Sequence, residues 1–417
     1  MDLRIWKVQL VNFKNVGYGV FEFPQTAAHK LDIADILGFY GANGSGKTTV
    51  ISALIALQEF VKGSVLSESG LVRQTTTEPA EITFDFIGKE NDYYYNIQYS
   101  CRFNEINAVS EDLRFKKYKK NRALAEFKEI LSNNTKEYTY KNSRIDFSDR
   151  SLGSLEVIKK GKELKSGFFD SDNLILNILK PHISKTFYSI MLELRRTVCQ
   201  NLVLLHSQFA SYTGQMLHTK DYTEEGYKRL TDNIKIVNAV LPELIPDLKV
   251  YAQKTEKFRD TDGCLRYKVD CFTERNGIKI SMHKESSGIR KLFAVLMLLI
   301  SVYKRPEIIF VIDEFDAGLY EFLLGQVIVV LEKSGRGQML FTSHNLRILE
   351  LLSPSNIILT TANPNNRYIK FKKIKSTNNL RDIYIKTIQL GGAEEPLYDN
   401  IRESFIKRAF DMADSDA

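Results

Sequence analysis

At both ends of the first hundred residues, hydrophobic positions alternate with polar ones, the period of a half-buried strand. Residues 3–11 (LRIWKVQLV) predict one strand, and Phe21-Glu22-Phe23 a second that Pro24 stops. Ile36-Leu37-Gly38-Phe39-Tyr40 is a short unbroken apolar run, as a strand buried on both faces requires. Residues 81–103 predict a hairpin: Ile82, Phe84 and Phe86 alternate, GKEND turns, and YYYNIQYSCRF returns. From about 105 to 270 the pattern shifts towards helical spacing, clearest in KPHISKTFYSIMLELRRTV and EEGYKRLTDNIKIVNAVL, with loops and short strands over 133–173. Beyond it, SSGIRKLFAVLMLLISVY and LLGQVIVVLEKS predict helices, and IIFVIDEFD and QMLFTSHN predict buried strands. Residues 357–359 and 368–374 predict closing strands, and 397–413 an amphipathic helix.

A glycine-rich stretch follows the run at 36–40 directly. Gly41-Ala42-Asn43-Gly44-Ser45-Gly46-Lys47-Thr48 fits GxxxxGK[ST] in full, with Thr49 next and a helical pattern (VISALIALQEF) after it. Glycines at those places let backbone N–H groups converge on phosphate oxygens that side chains would otherwise block. Lys47 is placed to reach the outer phosphates, and the Thr48 hydroxyl to hold Mg²⁺. A phosphate-loop protein also needs an acid at the end of a neighbouring strand to position that ion. Asp313, ending IIFVID, supplies it, and Glu314 is the candidate general base that polarises the attacking water. His344 ends another apolar strand, where an imidazole can contact the terminal phosphate. Ser286, Ser287 and Gly288 begin the helix that precedes the acidic strand; they read both as an N-cap and as phosphate-binding groups.

Spacing divides the chain. Asp313 lies 266 positions after Lys47, more than twice what a compact phosphate-loop domain needs. The expected organisation is therefore a head in two parts, 1–104 and 271–375, split by a mostly helical insertion at 105–270 and followed by a helical tail at 376–417. The fold class is α/β.

Composition narrows the partners. With 417 residues, 43% hydrophobic and 26% charged, the chain is long enough for a large core, which excludes a collagen-like, disulfide-stapled or mainly disordered protein. The 58 basic and 51 acidic side chains leave +7, which permits nucleic acid as a partner without requiring it. Two basic stretches, Lys116 to Arg122 and Lys370 to Lys375, read either as phosphate-binding surfaces or as solvated faces. Cys101, Cys199, Cys264 and Cys271 lack metal-ligand spacing and read as reduced thiols of a cytoplasmic protein. The start of the chain reads as a strand, not a signal peptide, and the longest apolar run, Leu292 to Tyr303, is about half a membrane span.

The order of these motifs resembles the ABC/SMC/RecF class of ATPases, and VQLVNFKNVGYGVFEF resembles the opening hairpin of their heads. EITFDF with YYYNIQYS, ESSG, DEFDAGLY and TSHN are most similar to the stand-alone AAA15/AAA21 group related to the overcoming-lysogenisation-defect proteins, and to abortive-infection AbiL-type and PARIS-system ATPases. The resemblance covers about residues 1–103 and 280–350; the signature reads SSGIRK instead of LSGGQ, and Tyr320 stands where relatives often carry histidine. It implies two heads closing on two ATP molecules, with Lys47, Thr48, Asp313 and Glu314 of one copy facing Ser286, Ser287 and Gly288 of the other. Asp316 would lie at the seam, and Gln208 is the candidate Q-loop ligand to Mg²⁺. It further implies a phage-defence scaffold governing a small TOPRIM- or RloB-type effector protein. The alternative is a DNA-repair or chromosome-maintenance ATPase of the RecF/SMC kind, with a transporter subunit third. No nuclease acids stand out beyond the ATPase pair, so nuclease chemistry would fall to a partner.

Overall fold

The computed structural model describes every residue except 64–70, 72–77, 105–106, 121–125, 128, 134–137, 142, 146–167, 170–173, 206–219, 261–262, 318–320, 372–378, 391–394, 398–407 and 409–417. Its centre is a parallel sheet ordered Leu202–Leu205, Ile309–Ile312, Gln338–Thr342, Asp35–Tyr40 and Ile357–Thr360, closed by the antiparallel strand Tyr368–Lys370. A second, antiparallel sheet runs Val16–Glu22, Asp2–Phe13, Ala80–Glu90, Tyr93–Asn104 and Asn107–Tyr118, then three short strands ending at Ser143–Arg144.

The helix Lys47–Lys62 lies between these sheets. Its Val50, Leu54, Leu57 and Val61 share one core with Leu10, Phe84 and Ile97 of the antiparallel sheet and with Leu37, Val311 and Leu340 of the parallel one. Strand parity explains the sharing: Leu37 and Phe39 face this core, whereas Ile36 and Tyr40 face a second core on the opposite side. There the helices Ser287–Lys304, Glu321–Ser334 and Leu346–Leu351 cover the sheet. The first of them also packs Leu292, Phe293 and Leu296 against a third unit, the strands Lys249–Arg259 and Leu265–Arg275 under the helix Glu224–Val240.

The predicted strands, hairpin and helices of 1–103 and 286–370 form where the pattern placed them. The stretch 105–270, expected to be mostly helical, is mixed. Asn107–Tyr118 extends the antiparallel sheet because Glu111, Leu113 and Phe115 alternate inward, a period of two beneath a lysine-rich composition. Leu202–Leu205 joins the central parallel sheet, pairing with Ile309–Ile312. The helical segments Lys185–Arg196 and Glu224–Val240 are present as read. The proposed tail helix falls almost wholly outside the described residues. Among the described residues, no helix is long and apolar enough to cross a membrane.

One buried side chain locks the two large sheets together. Gln338, fully enclosed, accepts from Ile5 N (2.8 Å), donates to Ile5 O (2.8 Å) and reaches Thr26 Oγ1 (3.2 Å). Gln338→Leu keeps the bulk but leaves both main-chain groups of Ile5 without a partner. An unmet buried polar group costs ~1–3 kcal/mol, so urea denaturation should show a stability loss of about 3 kcal/mol.

Glu111 is a second buried anchor. Tyr99 Oη donates to its Oε1, and Phe168 N donates to Oε2 at 2.6 Å. Burial raises its pKa from 4.5 to about 7, against the pull of those donors. Between these values the folded protein holds a proton that the unfolded chain has released. This contribution to stability is therefore fully present below pH 4.5 and is lost as pH rises through 7. Thermal melting should fall more steeply between pH 5 and 8 in the wild type than in Glu111→Gln.

Candidate functional site

The C-terminal ends of the parallel strands form one cavity of about 140 Å³, lined by Asn15, Asn43, Gly44, Gly46, Lys47, Thr48, Thr49, Asp313, Glu314, Thr342 and His344. Ligands of open α/β sheets bind at this edge. The phosphate loop owes its shape to two left-handed glycines, Gly44 (φ +77°) and Gly46 (φ +96°). No atom lies within 4 Å of where a Gly44 side chain would begin, so the loop is open on the cavity side. Its back is closed: a Cβ on Gly41 would overlap the Thr360 hydroxyl, and Ser45 Oγ bonds to that hydroxyl.

Lys47 is buried and donates to Gly41 O (2.8 Å) and Ala42 O (2.7 Å). Burial pushes its pKa down to about 8, although Asp313, Asp316 and Glu314 pull it up. Phosphate oxygens are stronger acceptors than those carbonyls and would oppose that desolvation.

Thr48 Oγ1 lies 3.4 Å from Asp313 Oδ1, so a hydroxyl and a carboxylate meet across the cavity floor. Thr342 Oγ1 donates to the same Asp313 oxygen and accepts from Glu314 N (2.8 Å). Its strand, Gln338–Thr342, lies between the strands that carry Asp313 and the phosphate loop, which puts the hydroxyl between them. Glu314 is exposed and stands at φ +47°, an uncommon backbone for a residue with a side chain. Phe315 N bonds to Thr342 O (2.9 Å), and Lys291 Nζ to Glu314 O (3.0 Å) and Ala317 O (2.6 Å), holding this turn. His344 N donates to Asp316 Oδ2 (3.3 Å), and burial followed by the Lys47 charge lowers the imidazole pKa.

Nine of the sequence-read residues therefore meet here: Asn43, Gly44, Gly46, Lys47, Thr48, Thr49, Asp313, Glu314 and His344. Gly41 and Ser45 form the back of the loop, and Asp316 lies behind His344. Ser286, Ser287 and Gly288 do not line the cavity. Ser286 caps its helix by accepting from Ile289 N (3.2 Å), and Ser286 and Ser287 are exposed. Gln208 and Tyr320 lie outside the described residues. Sequence reasoning missed Asn15 and Thr342 as site residues. Thr342 carried a usable signal, since a hydroxyl at the end of a buried strand next to an acidic strand end has few other places to bond.

The family described as "AAA domain, putative AbiEii toxin, Type IV TA system" matches residues 36–350. The chain belongs to this AAA_21 family. The AAA15/AAA21 resemblance read from the motifs stands, on an α/β head that carries the phosphate loop. No curated protein gives a significant match to this AAA_21 chain. Solved structures similar to it include an SMC head bound to the C-terminal winged-helix domain of ScpA, at 12% identity and TM-score 0.48, covering 88% of this chain and 97% of that one. Another is the SMC head domain from Thermotoga maritima, at 14% identity and TM-score 0.41, covering 88% and 99%. A third is an SMC head with coiled coil and joint from Pyrococcus yayanosii, at 11% identity and TM-score 0.45, covering 92% and 100%.

The Thr342 bridge gives a prediction. Thr342→Val preserves shape and removes the hydroxyl that orients Asp313 and satisfies Glu314 N. Affinity for ATP measured with Mg²⁺ should fall about tenfold, an effect typical of losing a group that orients a metal ligand. Affinity measured with EDTA should stay unchanged.

Proposed function

We propose that this AAA_21 protein is an Mg²⁺-dependent ATPase whose two copies close around ATP, and that this cycle controls a toxic effector protein in bacterial anti-phage defence. The observation that carries the shared-site reading is the separation of the two halves. The cavity holds the phosphate loop, the acids and His344, while the signature serines are exposed at a helix start that does not line it. A second copy supplies those serines. The family's description, which names the AbiEii toxin and a type IV toxin–antitoxin system, supports the defence setting.

The chemistry follows from the residues. Thr48 and Asp313 offer a hydroxyl and a carboxylate, the hard oxygen donors that Mg²⁺ selects. They fit the ion, which would supply neutralising charge to the phosphates. Lys47 exchanges the carbonyls of Gly41 and Ala42 for phosphate oxygens. The exposed carboxylate of Glu314 takes the proton of the attacking water, aimed by its left-handed turn. His344 meets the terminal phosphate and relays its loss to Asp316. Ser286, Ser287 and Gly288 of the second copy complete the enclosure, and hydrolysis releases it.

A second reading, direct action on DNA, draws on Lys116, Lys117 and Lys119. Lys117 Nζ lies 4.3 Å from the Tyr93 ring centre and Lys116 Nζ 5.7 Å from that of Tyr118. It predicts duplex binding that falls steeply with salt.

Glu314→Gln should cut turnover by about a hundredfold, the scale of losing a general base, and accumulate a dimer with ATP and Mg²⁺ by light scattering. A monomer under those conditions would overturn the shared site. Co-purification with the product of a neighbouring gene would support the effector reading, and salt-sensitive duplex binding without such a partner would replace it with the second.

A further inference from the structure

The phosphate loop is gripped from behind by groups that the proposed chemistry does not use. Arg367, 6% exposed, precedes the strand Tyr368–Lys370. Its Nη1 donates to Thr361 O and its Nη2 to Asn15 O at 2.6 Å. Its stem lies against the loop: a Cβ on Gly46 would meet Arg367 Cδ at 3.2 Å and Cγ at 3.3 Å. Asn15, at the turn of the opening hairpin, passes the restraint forward. Its Nδ2 donates to Gly44 O, and its Oδ1 accepts from Thr49 Oγ1 at 2.7 Å. Tyr368 Oη donates to Gly46 O at 3.0 Å.

The Asn15 and Tyr368 bonds to Gly44 O and Gly46 O, and the Arg367 stem against Gly46, fall on the two loop glycines whose φ is positive. Such a backbone persists only when its surroundings over-determine it. A loop already set in its binding form loses less conformational freedom when phosphates arrive. The guanidinium suits this place because its planar fork fixes two separate nitrogens on two carbonyls, Thr361 O and Asn15 O, in one rigid plane, where a lysine offers a single point charge.

We propose that Arg367 is a positioning residue for the nucleotide, acting through Asn15 and Gly46 to hold the phosphate loop open before ATP binds. The proposal deepens the ATP-binding reading of this cavity and rests on it. The turn that carries Arg367 is itself tied down: Glu395 accepts from Asn363 Nδ2 (3.0 Å) and Asn366 Nδ2 (3.1 Å), and Ala362 N donates to Pro396 O (2.8 Å). The restraint on the loop thus reaches back to residues 395–396.

The test is a double-mutant cycle on the full chain, with the fluorescent analogue mant-ATP as probe. Arg367→Met keeps the stem and loses both donors; Asn15→Ala cuts the link at its other end. Each single variant should weaken mant-ATP binding about tenfold, and the double variant by about the same factor, with kcat of Arg367→Met at saturating ATP within about twofold of wild type. A roughly hundredfold loss in the double variant, unchanged affinity in Arg367→Met, or a parallel loss of kcat in Arg367→Met would overturn the proposal. Arg367→Lys, which retains charge and stem, should fall between the two and serves if Arg367→Met does not fold. Amide hydrogen exchange of residues 41–48 without nucleotide separates the two readings. Faster exchange in Arg367→Met, at a melting temperature close to wild type, supports the strut even if the wild type binds no mant-ATP, and unchanged exchange refutes it.

Discussion

A single five-residue strand carries the constraint on which the rest depends. Gln338–Thr342 is buried along its whole length, yet both of its ends are polar. The amide at one end closes on the main chain of Ile5 and fixes the antiparallel sheet against the parallel one. The hydroxyl at the other end holds Asp313 and the Glu314 amide. A buried polar group must find its partners within the protein or cost stability. The two ends are therefore not free to slide. The relation between the sheets and the placing of the acids are set by one register, and the helix Lys47–Lys62 is trapped in the space that register defines.

Much of this is legible in the amino-acid sequence. The phosphate loop declared itself through glycines that only a close backbone approach explains, and Asp313 through an apolar run that ends abruptly in acid. Both signals are local, so a one-dimensional pattern preserves them. His344 was legible for the same reason.

What stayed hidden depends on tertiary neighbours. Asn15 lies in a polar turn with no pattern of its own, and its role appears only when Gly44 and Thr49 come to lie beside it. Arg367, over 300 positions from the loop it supports, is one arginine among many until the closing strand brings it there. The stretch 107–118 misled by composition, since Glu111, Arg114, Lys116 and Lys117 are of types that favour helices while Leu113 and Phe115 keep strand parity. Packing against the neighbouring strand decided the outcome, as it generally does when intrinsic preference is weak.

The helix that begins at Ser287 has a mechanical consequence. It runs 18 residues, about 27 Å, and is packed on two cores at once, with Val295, Leu299 and Val302 on the parallel sheet and Leu292, Phe293 and Leu296 under the third sheet. Glu285, next to the helix's capping residue Ser286, accepts a hydrogen bond from Thr273 of that third sheet. The helix is thus a stiff rod clamped along its length, and its serine end moves only if the small sheet moves with it. Torque applied to that sheet from outside is delivered to the serines, and a force on the serines is felt in return at the sheet's outer face.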